Sequence, residues 1–363
     1  VENKLKYSAL GYPKIALKSE MEAYDSVRNW LSNFPDRPNT RRSYLLWLSR
    51  FVRWTGKDPD LLIKEAERSP GKAHSQLKSF YNYLIERGLS SNTAILAYQA
   101  LRSFYRWNEI SLGRRPRGFR GRAEYASSYV LTQEDVASMV AACDNIRDKA
   151  LIAFLAQSGQ RCGVIAALKV KHVRVGLERK TTPLIVNVPP VLRDGRGVNV
   201  NKLGEAYRFA IGKDAISLVR EMLKERKEAG EPLHDESWLF RSYSVKREGY
   251  SKPVKVSRSA EGPPLTTSAI RQIVHEAALK AGLQRKASAK RYEIYPHSFR
   301  RYWNMRMQEA GLSEDLREFM LGHRLPYNGA YSKWYPEAIR REWNRKNVEK
   351  YIEIFAYFST EFA

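Results

Sequence analysis

Apolar residues in the first third of the chain recur at three- and four-residue steps, the spacing that lines one face of an α-helix. Tyr44, Leu48, Phe51 and Val52 share one such face, Leu77, Phe80, Tyr81 and Leu84 another, and Ala97, Tyr98, Leu101, Phe104 and Tyr105 a third. Thr40 and Asp58 stand where N-caps belong, and Gly56 and Gly88 where helices should stop. After a short N-terminal extension, 1–20, residues 21–111 read as a compact helical domain of four or five helices whose aromatic stripes form core.

Between residues 112 and 128 the apolar period disappears. The run GRRPRGFRGRAEYASS carries glycine, proline and five arginines, the composition of an extended basic linker. Helical pattern resumes at Thr132, an N-cap with Asp135 three positions on, runs through 148–158 to a stop at Gly159, and restarts over 163–168. Two strand-like runs follow, 184–188 and 207–211, joined by a stretch rich in turn residues that sets Lys202 near a hairpin tip. Helices are expected over 214–228 and 267–281, with a long polar loop over 241–264. An amphipathic stretch covers 336–357, its apolar positions including Trp343, Val348, Ile352, Ile354 and Phe355. The pattern predicts a mostly α protein with a small β-sheet, its second domain over 129–343 and a tail, 344–363, that suits docking on a partner.

Composition narrows the partners. The 363 residues carry 63 Lys+Arg against 39 Asp+Glu, a formal net charge of +24, and basic surface of this size points to a polyanion. No apolar run approaches about 20 residues, so no membrane span is expected, and the start VENKLKYSALGY lacks a signal peptide's apolar stretch. Cys143 and Cys162 have no CxxC spacing, and the six histidines show no metal-ligand pattern, so no cofactor or metal is expected. On the helical faces of the first domain, Arg41 and Arg42 are positioned to meet phosphates. In the linker the same holds for Arg114, Arg115, Arg117, Arg120 and Arg122.

The chemistry concentrates in YPHSFRRYWNMRMQEAGLSEDLREFMLGHRLPYNGAY, residues 295–331. His297 and Arg300 lie one helical turn apart and share a face. His323 follows a Leu-Gly step, and Tyr331 comes eight positions later. Upstream, Arg161 follows the stop at Gly159. Two guanidinium forks neutralise a phosphate's non-bridging oxygens, a lysine protonates a leaving alkoxide, and histidines share protons with the phosphate or an attacking phenol. A phenol near pKa 10 needs such cationic surroundings to act near neutrality. Arg301 points off the shared face and reads as a further phosphate contact.

These residues resemble the tyrosine recombinase (integrase) family. Its Arg, Lys, His-x-x-Arg, His, Tyr order is met by Arg161, Lys202, His297 with Arg300, His323 and Tyr331. SGQRCGVIAALKVKHV, PHSFRRYWNMRMQEAG and FMLGH look like its three boxes, and NKLGEAYRF and GAYSKWYPEAIRREW are most similar to archaeal plasmid and virus integrases. The resemblance implies a two-domain clamp, with a helical core-binding domain before an α+β catalytic domain. It implies cleavage and rejoining of duplex DNA at att sites through a 3′-phosphotyrosyl ester, by four protomers on two synapsed duplexes. It also implies a mobile-element protein of a prokaryotic, cytoplasmic setting. A type IB-like topoisomerase, a hairpin telomere resolvase and a catalytically silent DNA-binding relative remain alternatives. Two departures stand out. The family's acidic residue three positions after the first arginine is Val164 here, and the nucleophile's usual distance from the second histidine leaves Tyr335 and Tyr327 beside the favoured Tyr331.

Overall fold

The computed structural model describes residues 20–35, 37–119, 129–245, 254–288, 291–326 and 334–358. The chain divides into two compact units, residues 1–124 and 125–363.

The first unit is a bundle of five helices among its described residues: α1 (Asp25–Ser32), α2 (Pro38–Thr55), α3 (Pro59–Arg68), α4 (Pro70–Glu86) and α5 (Ser91–Trp107). Asp58 caps α3 by accepting the Leu61 amide, and Gly56 ends α2 in the left-handed conformation, φ 70°. Thr40 is not a cap. Pro38 already opens α2, so Thr40 lies inside its first turn. The aromatic stripes are core: Trp30, Phe51, Phe80, Tyr98, Phe104 and Tyr105 are buried in one cluster. The stretch expected as a free linker departs from that expectation over 112–119. Phe119 is buried in the same cluster and stacks on Tyr81 with ring centroids 3.7 Å apart. Arg102 also donates to the Gly113 carbonyl at 3.0 Å. Phe119 and, less fully, Leu112 pack on the cluster, and this burial ties the segment to the bundle.

The second unit is built from α6 (Gln133–Ala141), α7 (Ile146–Ser158), α8 (Cys162–Ala167), α9 (Lys171–Glu178), β1 (Leu184–Val188), β2 (Tyr207–Ile211) and α10 (Lys213–Glu228). There follow β3 (Ser244–Val245), β4 (Val254–Lys255), α11 (Thr267–Lys280), β5 (Lys286–Ser288), β6 (Arg291–Tyr292), α12 (Pro296–Glu309), α13 (Glu314–Met320), α14 (Pro336–Arg345) and α15 (Glu349–Ile352). From Ala150 to Ser158 every residue of α7 is buried, because α6, α10 and α12 surround it. β1 and β2 pair antiparallel, Val188 opposite Tyr207 and Leu184 opposite Ile211. The polar stretch 241–264 is not all loop: β3 and β4 pair within it, and Arg241 bridges to Pro264. None of the described helices is long and apolar enough to cross a membrane.

The expectation of a partner-docking helix is corrected over 344–354. Trp343, Val348, Ile352 and Ile354 are buried in the core of their own unit, each burial worth about 1.5–3 kcal/mol. Asp214 accepts the Ile354 amide at 2.6 Å, and Gln157 donates to the Ile352 carbonyl at 2.9 Å. These four positions face inward on their own unit, while Phe355 is half-buried and Tyr357 exposed.

Candidate active site

Two helix ends and one helix start build the site. Pro296 opens α12 at its first position, where a missing N–H leaves nothing unpaired. His297 therefore falls on its first turn and Arg300 one turn further along the same face. α7 ends at Gly159, φ 61°, and α13 ends in a Schellman turn with Gly322 at φ 64°. In that turn the Gly322 amide donates to the Phe319 carbonyl at 2.9 Å and the His323 amide to the Glu318 carbonyl at 3.0 Å.

Both arginines converge on these glycine turns. Arg300 donates to the Gly159 carbonyl at 3.0 Å and to the Leu321 carbonyl at 2.6 Å, and Arg161 donates to the Gly322 carbonyl at 3.4 Å. Leu321 and Gly322 are consecutive, so one peptide turn anchors both guanidinium groups. The carbonyls at a helix C-terminus carry partial negative charge and suit this work. A third contact runs from Arg300 Nη2 to His323 Nε2 at 2.6 Å, and His323 Nδ1 meets Glu318 Oε2 at 2.5 Å.

Carbonyls orient cations without cancelling their charge. Arg300 is 6% exposed. Burial, followed by the neighbouring Arg161 charge, draws its pKa down to about 10, against the opposing pull of Tyr207 and Glu318. It remains charged at neutral pH, with one negative charge nearby where two would be needed. His297 is held below the ordinary imidazole value, chiefly by burial and then by Arg300, Arg161 and Arg301. The part of each effect that comes from neighbouring cations is relieved by an anion placed among them. A cavity of about 310 Å³ opens there, lined among others by His297, Arg300, Arg301, Asn304, Glu318 and His323.

Tyr207, at the start of β2, is buried next to the two arginines. Its hydroxyl donates to Gln160 Oε1 at 2.9 Å, and Gln160 Nε2 donates to the Met320 carbonyl at 2.7 Å. This chain fastens the residue before Arg161 to the end of α13. Burial pushes the Tyr207 phenol up to about 12, so it stays protonated and keeps donating. A side chain at Gly322 would bring its Cβ within 2.7 Å of the Tyr207 ring, which excludes any larger residue there.

The structure thus brings Arg161, His297, Arg300 and His323 together. Lys202 is exposed in the loop between β1 and β2, close enough for its charge to act on the Cys162 thiol beside Arg161. Its neighbour pins that loop: Asn201 donates to the carbonyls of Pro189 at 2.8 Å and Glu205 at 2.9 Å, and accepts the Leu203 amide at 3.0 Å. Val164 is buried in the core, and the Gly322 carbonyl supports Arg161 where an acidic residue was expected. Tyr331 and Tyr327 lie outside the described residues, as do Arg120 and Arg122. Tyr335 is exposed at the start of α14. Arg42, Arg114, Arg115 and Arg117 are exposed and Arg41 is half-buried, all in the first unit. Arg301 lines the cavity rather than pointing away from it. Sequence reasoning missed Gln160, Tyr207 and Glu318. Of these only Glu318 had a local signal, an acid five positions before a histidine across a glycine-stopped helix end.

Comparison with known proteins gives a consistent result. The sequence model described as Phage integrase family matches residues 129–328, and that described as Phage integrase, N-terminal SAM-like domain matches 33–109. No curated protein is matched by the sequence. Among solved structures, the Tn1549 transposon integrase in complex with circular intermediate DNA is 18% identical with a TM-score of 0.53, covering 88% of this chain and 99% of that one. The lambda integrase dimer bound to a COC′ core site is 15% identical with a TM-score of 0.53, covering 88% and 97%. These likenesses show the shared fold.

Proposed function

The chain belongs to the phage integrase family of tyrosine-type site-specific recombinases, and from that premise we propose that it nicks and reseals duplex DNA with Tyr331 as nucleophile. Arg161 and Arg300 hold the non-bridging oxygens of one scissile phosphate. The Tyr331 phenol gives its proton to one of the site's imidazoles and its oxygen bonds to phosphorus, while the bond from phosphorus to the 5′-oxygen breaks. Lys202 gives that oxygen its proton. The products are a 3′-phosphotyrosyl ester and a free 5′-hydroxyl. The new ester is close in energy to the phosphodiester it replaces, so a 5′-hydroxyl from a second duplex can reverse the step without a nucleotide cofactor.

One observation supports this reading above others: two guanidinium groups anchored on consecutive carbonyls, with no carboxylate pairing to either among the described residues. Such a pair is complementary to the charge that gathers on a pentacoordinate phosphorus. Arg42, Arg114, Arg115 and Arg117 would add contacts to the DNA backbone and make binding salt-dependent. Exchange between two duplexes needs four nicks, so four protomers on paired att sites are the working assembly, in the cytoplasm of a prokaryote carrying a mobile element.

The test uses a library of nicked duplexes of random sequence, from which covalent adducts are recovered and the modified peptide mapped by mass spectrometry. The expected adduct lies on Tyr331 and vanishes in Tyr331→Phe. An adduct on Tyr335 would move the nucleophile, and no adduct from any duplex would refute the reading.

A further inference from the structure

We infer that Glu318 is a positioning residue for His323, holding the ring with its proton on Nδ1 so that Nε2 is the nitrogen turned toward Arg300 and the cavity. A guanidinium has N–H donors and no acceptor. With Arg300 Nη2 only 2.6 Å from Nε2, that nitrogen must accept, so it carries no proton. The proton is then on Nδ1, where Glu318 Oε2 accepts it at 2.5 Å. The other tautomer would set an N–H against an N–H on one side and a lone pair against a carboxylate on the other. Only one arrangement satisfies both contacts.

The backbone makes the same pairing. In the Schellman turn that ends α13, Glu318 and His323 are the two residues joined by the outer main-chain bond, His323 N–H to Glu318 C=O at 3.0 Å. That place usually holds an apolar contact; here an acid and an imidazole face each other instead. The turn therefore brings the two residues side by side, within reach of each other's side chains. The pair is not sealed in the core: the side chains are 37% and 33% exposed, and both line the cavity. When a phosphate draws the Arg300 N–H onto its own oxygen, Nε2 is left as an acceptor for an O–H in the cavity. This inference rests on the reading above, in which the attacking phenol is the O–H that arrives there. Glu318 then offsets any positive charge the ring acquires.

The experiment follows the ring directly. The full chain, with ¹⁵N-labelled histidine, is examined by NMR, the His323 signals being assigned by their loss in His323→Gln. The expected wild-type pattern is a protonated Nδ1 and a bare Nε2, with Glu318→Ala freeing the ring to turn away from Arg300 and populate both tautomers. On a nicked duplex recovered from the library, Glu318→Ala should slow adduct formation by about 10- to 100-fold, the usual cost of losing a partner that fixes a histidine's tautomer. DNA affinity should be unchanged. Glu318→Gln keeps an oxygen that accepts from Nδ1–H, so it should retain the tautomer and recover most of the rate. The backbone turn does not need the side chain, and matching thermal midpoints verify that both variants fold. A wild-type ring protonated on Nε2, an unchanged ring in Glu318→Ala, a full rate in Glu318→Ala, or a Gln variant as slow as Ala would each overturn the inference. If the wild type forms no adduct at all, the proposed reaction fails, while the tautomer measurements still decide the role of Glu318.

Discussion

Arg226 and Arg241 meet inside the second unit on a single carboxylate. Glu231 accepts from Arg226 through both oxygens, at 3.0 and 2.6 Å, and from Arg241 Nε at 2.6 Å, and all three residues are buried. Arg226 also reaches the Trp238 and Leu239 carbonyls, and Arg241 the Arg258 carbonyl. Arg161 and Arg300 also converge, on Leu321 and Gly322, yet among the described residues carbonyls and one imidazole receive them. The first pair is closed: both guanidinium groups bond one carboxylate directly and spend their remaining donors on the Trp238, Leu239 and Arg258 carbonyls, so it can brace these residues and do little else. The second is oriented with no carboxylate bonded to it among the described residues, and its Arg300 borders a cavity. Among convergent arginines, the missing carboxylate is what separates a binding site from a brace.

The largest effect should come from breaking the closed pair. Glu231→Ala leaves two buried guanidinium groups unpaired and should cost about 3–5 kcal/mol of stability, read by denaturant unfolding. Protein that remains folded at low temperature should still form adduct at the wild-type rate. Arg300→Ala should reverse this profile: adduct formation falls about 10²- to 10³-fold, the cost of losing one charge-stabilising donor, with a smaller loss of stability than Glu231→Ala. Equal stability losses in the two variants would erase the distinction. Gly322→Ala should fall between them. It forces a side chain into the left-handed region and against Tyr207, costing about 1–3 kcal/mol, and it slows cleavage because both guanidinium anchors shift.

The smallest effect concerns protons. His297 sits below its ordinary value of 6.5 in the free site through burial and the adjacent arginines. A bound phosphate offsets those charges and raises it again, so binding takes up a proton. DNA affinity should therefore increase as pH falls through 6.5, by at most about tenfold per pH unit for one linked proton. His297→Gln should remove that component. The sign for folding alone follows from the same lowered value. The unfolded chain binds the proton more readily, so this residue favours the fold above 6.5 and penalises it increasingly as pH drops toward the folded value.

Much of the fold was legible because local rules and tertiary packing agree. β1 and β2 fall where β-branched and aromatic residues cluster between turns, and α7 stops at the glycine that the pattern marked. Thr40 misled because Pro38 starts its helix earlier. Residues 336–357 misled because amphipathicity shows that a face will be covered and not by which chain. Arg161, His297, Arg300 and His323 were readable as a set from order and spacing, whereas Gln160 and Tyr207 were not. Their role is created by β2 passing under the end of α13, a contact between positions 207 and 322 that leaves no periodic trace. The unexpected Val164 has the same explanation in reverse: its place is in the core, and support for Arg161 comes from a carbonyl that only folding brings near.

The central claim is that Arg161 and Arg300 exist to meet the negative charge of one scissile phosphate. It is tested most directly by replacing that phosphate, in a duplex recovered from the library, with a neutral methylphosphonate. Arg300→Ala should then form adduct nearly as fast as the wild-type protein, because the charge it fails to balance is gone. A variant that stays as slow on the neutral linkage as on the natural one would contradict the account.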